Sequence, residues 1–123
     1  MITNAMINDL INPNDDRSTI TVSAFRLLME DLASLTGEAR LDDANDSFFN
    51  SEINGILSFS DFKRYFLVDF YEGVAPDEDF LRIKTLINEK ENESNLLSLS
   101  DFKILMHEIF QDGAYDLSTV END

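Results

Sequence analysis

The chain has no cysteine and a single histidine. Without cysteine there is no disulfide framework, no thiolate nucleophile and no thiolate metal site, which fits a reducing compartment. Basic residues are also few, 9 against 25 acidic, for a net charge of -16. A surface of that sign repels DNA, RNA and anionic lipid and attracts basic partners. No apolar run nears the ~20 residues needed to span a bilayer. The opening Met1-Ile2-Thr3-Asn4-Ala5 lacks the basic-then-apolar order of a secretory signal. The expectation is a soluble, cytoplasmic protein with no nucleic-acid and no membrane partner.

Catalytic chemistry is equally sparse. His107 falls mid-helix between Met106 and Glu108, off the main apolar stripe, and reads as an exposed or half-exposed helical residue rather than a general base. With 4 glycines the chain carries no phosphate-binding glycine loop and no G-x-S-x-G elbow. Plentiful carboxylates on an acidic protein do not mark a catalytic pair. The expected catalytic set is none, and the protein is read as a non-enzyme.

What the chain does have is a core-forming composition and a repeat. The hydrophobic fraction is 43%, with 10 phenylalanines, enough for an aromatic core. Ile56-Leu57-Ser58-Phe59-Ser60-Asp61-Phe62-Lys63 is nearly repeated as Leu96-Leu97-Ser98-Leu99-Ser100-Asp101-Phe102-Lys103. A weaker copy is Thr19-Ile20-Thr21-Val22-Ser23-Ala24-Phe25-Arg26. Phe25, Phe62 and Phe102 are 37 and 40 residues apart, a period that declares a repeated unit. Gly37, Gly73 and Gly113 follow them by 12, 11 and 11 residues. Each copy reads as a short extended piece, a serine-rich turn and an amphipathic helix opened by a phenylalanine and closed by glycine.

The residues between fill in the units. Ala5 to Ile11 has helical spacing and is stopped by Asn12-Pro13-Asn14-Asp15-Asp16. Ile20 to Val22 reads as extended and Ser23 as a cap, followed by a helix with Phe25, Leu28, Met29, Leu32 and Leu35 on one side. Ala39 to Phe49 is a weaker helix, Asn50 to Asn54 a loop, and Gly55 a sharp turn. Ser58 and Asp61 have the spacing of a capping box before a helix presenting Phe62, Tyr65, Phe66 and Phe70 and ended by Gly73. Pro76 in a first turn opens a helix carrying Phe80, Ile83, Leu86 and Ile87, and Asn88 to Asn95 reads as polar loop. The last helix carries Phe102, Leu105, Met106, Ile109 and Phe110. The units are 1–37, 38–73 and 74–113, with a tail at 114–123, in one domain.

Helix, loop, a residue or two of β bridge and a second helix make an EF-hand, and the three units resemble degenerate EF-hands over nearly the whole chain. The middle one is closest: a twelve-residue loop ending on Asp61 puts Gly55 sixth and Leu57 eighth, as the family has glycine and an apolar bridge residue. The resemblance implies an all-α fold of three such units with short β bridges between paired loops. It also implies a ligand set of Asn50, Glu52, Asn54, the Ile56 carbonyl, Ser58 and Asp61. Asn50 replaces the usual first aspartate and Asp61 the longer glutamate, so the cofactor expected is none, or weakly held Ca²⁺ or Mg²⁺. The first loop ends on Ala24, with Pro13 at its first position. The third begins on Lys90 and has Asn95 in place of the glycine. Both are read as empty of calcium chemistry.

The family's light chains and calmodulin-like subunits keep such hands as scaffolding that holds a helix of another protein. The corresponding expectation is a largely calcium-independent, non-catalytic subunit that binds a basic amphipathic helix, by resemblance one from a motor, cytoskeletal or ciliary protein. The groove would be lined by Phe25, Leu28, Met29, Phe62, Phe66, Phe70, Phe102, Leu105, Met106, Ile109 and Phe110. An alternative is an acidic blocker, either a toxin-immunity protein or a nucleic-acid mimic. It gains if the loops before Ser58 and Ser98 are not paired with each other. A second alternative is a weak Ca²⁺/Mg²⁺ sensor or buffer.

Overall fold

The computed structural model describes residues 4–10 and 18–110, apart from the side chains of Asn4, Ala5 and Asn8. The turn expected at Asn12 to Asp16, with Pro13, lies outside them, as do Ile11, Gly113 and the tail. All regular structure among these residues is helical: α1 (Asn4–Leu10), α2 (Val22–Thr36), α3 (Ala39–Phe49), α4 (Phe59–Leu67), α5 (Glu78–Glu93) and α6 (Leu99–Ile109). A 3-10 turn at Asp69–Tyr71 follows α4.

Helices α2, α4 and α6 start alike. A buried apolar residue (Ile20, Leu57 or Leu97) comes first. A hydroxyl residue follows, whose oxygen accepts from the backbone N–H three residues on: Thr21 from Ala24 at 3.1 Å, Ser58 from Asp61 at 3.0 Å, and Ser98 from Asp101 at 3.0 Å. Asp61 returns the bond, its Oδ2 accepting from the Ser58 N–H at 3.1 Å. Four residues after each cap stands the repeat's phenylalanine, in the place from which it staples onto the residue before the cap. The cap of α2 is thus Thr21, not Ser23, which is exposed inside the first turn. The extended pieces also end at the caps, so Val22, Phe59 and Leu99 are helical.

These starts are tied together by the main chain. Thr21 forms an isolated antiparallel bridge with Ile56, and Thr19 another with Ser98. The Val22 N–H donates to the Gly55 carbonyl and the Leu57 N–H to the Ile20 carbonyl, both at 2.8 Å. On the other loop the Leu99 N–H donates to the Ser18 carbonyl at 3.0 Å. The loops before Ser58 and Ser98 are therefore each bridged to the first segment, and no bridge joins them to each other among the described residues.

Held this way, the three phenylalanines meet. Ring centroids are 6.1 Å apart for Phe25–Phe62, 5.8 Å for Phe25–Phe102 and 5.8 Å for Phe62–Phe102. Phe25 also touches the rings of Phe48, Phe49, Tyr65 and Phe66. α1 closes the bundle against α2 and α6 and buries Ile7.

Three boundaries differ from the sequence reading. Leu35 is 58% exposed, because it falls on the flank of the α2 stripe in the last turn, before Gly37 (φ 68) ends the helix. α4 stops at Leu67 rather than running to Gly73, and Phe70 is buried from the 3-10 turn instead. Asp69 causes the break: it is 5% exposed, its Oδ1 accepts from the Ser47 hydroxyl of α3 at 2.7 Å, and its Oδ2 lies 3.3 Å from Arg64 Nε without hydrogen-bond alignment. α5 begins after the cap Asp77, leaving Pro76 just outside, and continues through Asn88 to Glu93. That polar run is a solvated helix face. It is pinned by Lys63–Glu91 at 2.6 Å and by Lys90, 3.9 Å from Asp101.

Replacing Phe25 with alanine removes the ring shared by three helices, and it should lower unfolding free energy by about 3–5 kcal/mol. Urea titration checks this. Leu27→Asp, at a position 64% exposed on the same helix, should leave the midpoint nearly unchanged.

Candidate functional site

The middle loop is built between two well-defined ends. α3 stops at Phe49, and Asn50 donates its N–H to the Phe48 carbonyl. The Ser51 hydroxyl donates to the same oxygen at 2.5 Å. The chain then turns through two left-handed residues, Glu52 (φ 59) and Gly55 (φ 84), and enters α4 after Ser58. Gly55 stands where the sixth-position turn was expected. Glu52 takes a conformation that side chains rarely adopt.

Of the six expected ligand residues, Asn50, Glu52, Asn54, Ile56 and Ser58 are exposed and Asp61 is half-buried. Ser58 and Asp61 bond each other's backbone N–H at the start of α4. The loop therefore offers two carboxylates, Glu52 and Asp61, of which one already closes a cap. Among the described residues no group of three or more His, Asp or Glu side chains converges as a metal site would need. In the third loop, α5 runs through Glu93, so the positions counted from Lys90 begin as helix.

The eleven apolar residues expected to line a groove do come together, but in the interior. Phe25, Leu28, Met29, Phe62, Phe66, Phe70, Phe102, Leu105, Met106, Ile109 and Phe110 share one core, and none is more than 4% exposed. The same spacing that would line a groove lines a closed bundle when the helices face one another.

Polar anchors that the sequence did not disclose hold the second and third units. Asn45, 6% exposed, donates to the Met29 carbonyl at 3.0 Å and accepts from the Tyr65 hydroxyl at 2.5 Å. The Arg40 guanidinium lies 4.0 Å over the Phe70 ring and 4.7 Å over Tyr71, and donates to the Phe70 carbonyl. Tyr71 donates to Asp77 at 2.9 Å, the same oxygen that accepts from Phe80 N–H to cap α5. Arg82 donates to the carbonyls of Glu108 and Ile109 at 2.8 Å each, at the end of α6. These contacts join separate elements, so no local pattern signals them.

Electrostatics follow from these contacts. The Phe80 N–H and the Tyr71 hydroxyl hold the Asp77 carboxyl below its ordinary range. Burial, then the neighbouring Asp77 carboxylate, pushes the Tyr71 phenol up to about 12. His107, on α6, is held below its ordinary value by burial. Outside the core, Asp43, Asp46, Ser47, Asn50 and Glu72 line an open cleft of about 510 Å³. Its three carboxylates make it acidic. No described helix is long and apolar enough to cross a membrane.

Comparison with protein-family models, curated proteins and solved structures brings no match.

Two measurements check this geometry. Ser58→Ala removes the α4 cap and should lower stability by about 1 kcal/mol in denaturant titration. Tyr71 should ionise near 12, seen as phenolate absorbance that Tyr71→Phe abolishes. Because folding raises this pKa from 10.0, the folded chain retains the proton longer than the unfolded one. The stabilisation from this group is complete below pH 10 and should be lost as pH rises through 12.

Proposed function

We propose that the chain is a set of three degenerate EF-hand units serving as a non-catalytic, light-chain-like or calmodulin-like subunit. Its partner is a basic amphipathic helix, drawn in by the net charge of -16. One observation carries the reading. Ile20 and Leu57 are both eighth in twelve-residue counts ending on Ala24 and Asp61, the place where EF-hand loops bridge. There the Leu57 N–H donates to the Ile20 carbonyl and the Val22 N–H to the Gly55 carbonyl, both at 2.8 Å, with Thr21 bridged to Ile56 between them. α3, the nine residues Asn50 to Ser58, and α4 also have the helix-loop-helix proportions of a hand. The degenerate ligand sets make binding to the partner largely independent of calcium.

A second reading, the acidic blocker of a basic protein surface, is favoured by a different observation. The loops before Ser58 and Ser98 are not bridged to each other, and the expected groove is closed. A blocker needs neither paired hands nor an open groove, only a rigid acidic exterior.

Affinity capture from the native cell in calcium and in chelator separates these readings. The subunit reading expects the same basic helical partner in both buffers. A folded enzyme held through its basic active site would replace it with the blocker. Heat of Ca²⁺ binding that Asp61→Ala abolishes would instead make the chain a sensor.

A further inference from the structure

The closed core leaves open the question of where an amphipathic partner would rest. A second cleft answers it. Leu86, Glu89, Lys90 and Glu93 lie on one face of α5, at spacings of three, one and three residues. Opposite them α6 presents Ile104, Leu105 and Glu108, and the space between is about 260 Å³. Its reachable apolar surface comes from Ile104, 42% exposed, and the half-buried Leu86, above a buried Leu105. Its rim is acidic. The one cation there, Lys90, has its Nζ 3.8 Å from Glu93 and 3.9 Å from Asp101. The carboxylates of Glu89 and Glu108 form no ion pair among the described residues.

We propose that this α5–α6 cleft is the docking surface for a cationic amphipathic helix, with apolar side chains on Ile104 and Leu86 and Lys or Arg on Glu89, Glu93 and Glu108. The assignment rests on the basic-partner reading above and adds its location. Charge decides the occupant. A second copy of this chain would bring another -16 to an acidic rim. A basic helix neutralises the rim while covering an isoleucine that water now reaches. The larger acidic cleft at Asp43, Asp46 and Glu72 has no such apolar side chains.

The test uses the full chain and a fluorescent leucine–lysine peptide with leucines at helical i, i+3, i+4 spacing. A leucine–glutamate peptide of the same pattern is the comparison. Anisotropy at about 0.15 M salt limits long-range attraction to a Debye length of about 8 Å. Binding of the cationic peptide alone is expected. Ile104→Asp should weaken it roughly tenfold or more, from the lost burial of one large side chain. Glu108→Lys should weaken it independently. Leu27→Asp and Leu35→Asp, on exposed positions of α2, should leave it unchanged. All four are surface substitutions, and thermal melting verifies that each variant folds. Equal affinity across the variants would overturn the α5–α6 location while leaving the basic-partner reading in place. Absence of binding to the cationic peptide would overturn both, and equal binding of the acidic peptide would overturn the charge argument.

Discussion

The Ile20 carbonyl accepts from the Leu57 N–H, and the Ser18 carbonyl accepts from the Leu99 N–H. Through these bonds one short extended segment holds both other loops in register. Backbone groups here have few alternatives: Ile20, Leu57 and Leu97 are buried, and a buried main-chain donor or acceptor without a partner is destabilising. The segment belongs to the copy of the repeat that looks weakest in sequence. It lacks the Asp of the other two caps and ends on Ala24, yet both neighbours bridge to it. Fixing those loops fixes the starts of α2, α4 and α6, and the phenylalanine one turn into each helix can then meet its two counterparts.

That convergence explains why the interior is closed. Wide apolar stripes on three helices that start at one place must face inward together, and α3, α1 and the 3-10 turn fill the remaining sides. Phe25, on α2, touches rings from α3, α4 and α6. Long-range polar contacts then fasten the periphery: Arg40 to the Phe70 carbonyl, Tyr71 to the α5 cap, and Arg82 to the end of α6. On the exterior, between α5 and α6, the exposed Ile104 lies beside Glu89 and Glu108, which form no ion pair among the described residues.

Much of this was legible in the chain. The repeat located three helix starts and the three rings that meet, and Ala39 to Phe49 is helical over the span expected. What was not legible has identifiable causes. Periodicity marks which face of a helix is apolar, but not whether that face meets a partner or its own neighbours, so a groove and a core looked alike. The run Asn88 to Glu93 is polar because it faces water on a helix, and polarity alone resembled a loop. α4 ends early because Asp69 reaches Ser47 on a different helix, a contact that no local window contains. Pairing between loops uses main-chain atoms, which carry no residue identity. The sequence could therefore suggest bridges but not which loops form them.

The most direct test lies in those bridges. In a pair flanked by hydrogen bonds in this pattern, opposed Cα atoms are about 4.5 Å apart and their α-protons are in near contact. Nuclear Overhauser spectra of the labelled chain should show α-proton cross-peaks between Thr21 and Ile56 and between Thr19 and Ser98. Cross-peaks joining the segments around Leu57 and Leu97 directly, with neither of those two present, would contradict the central place of the Ser18–Val22 segment.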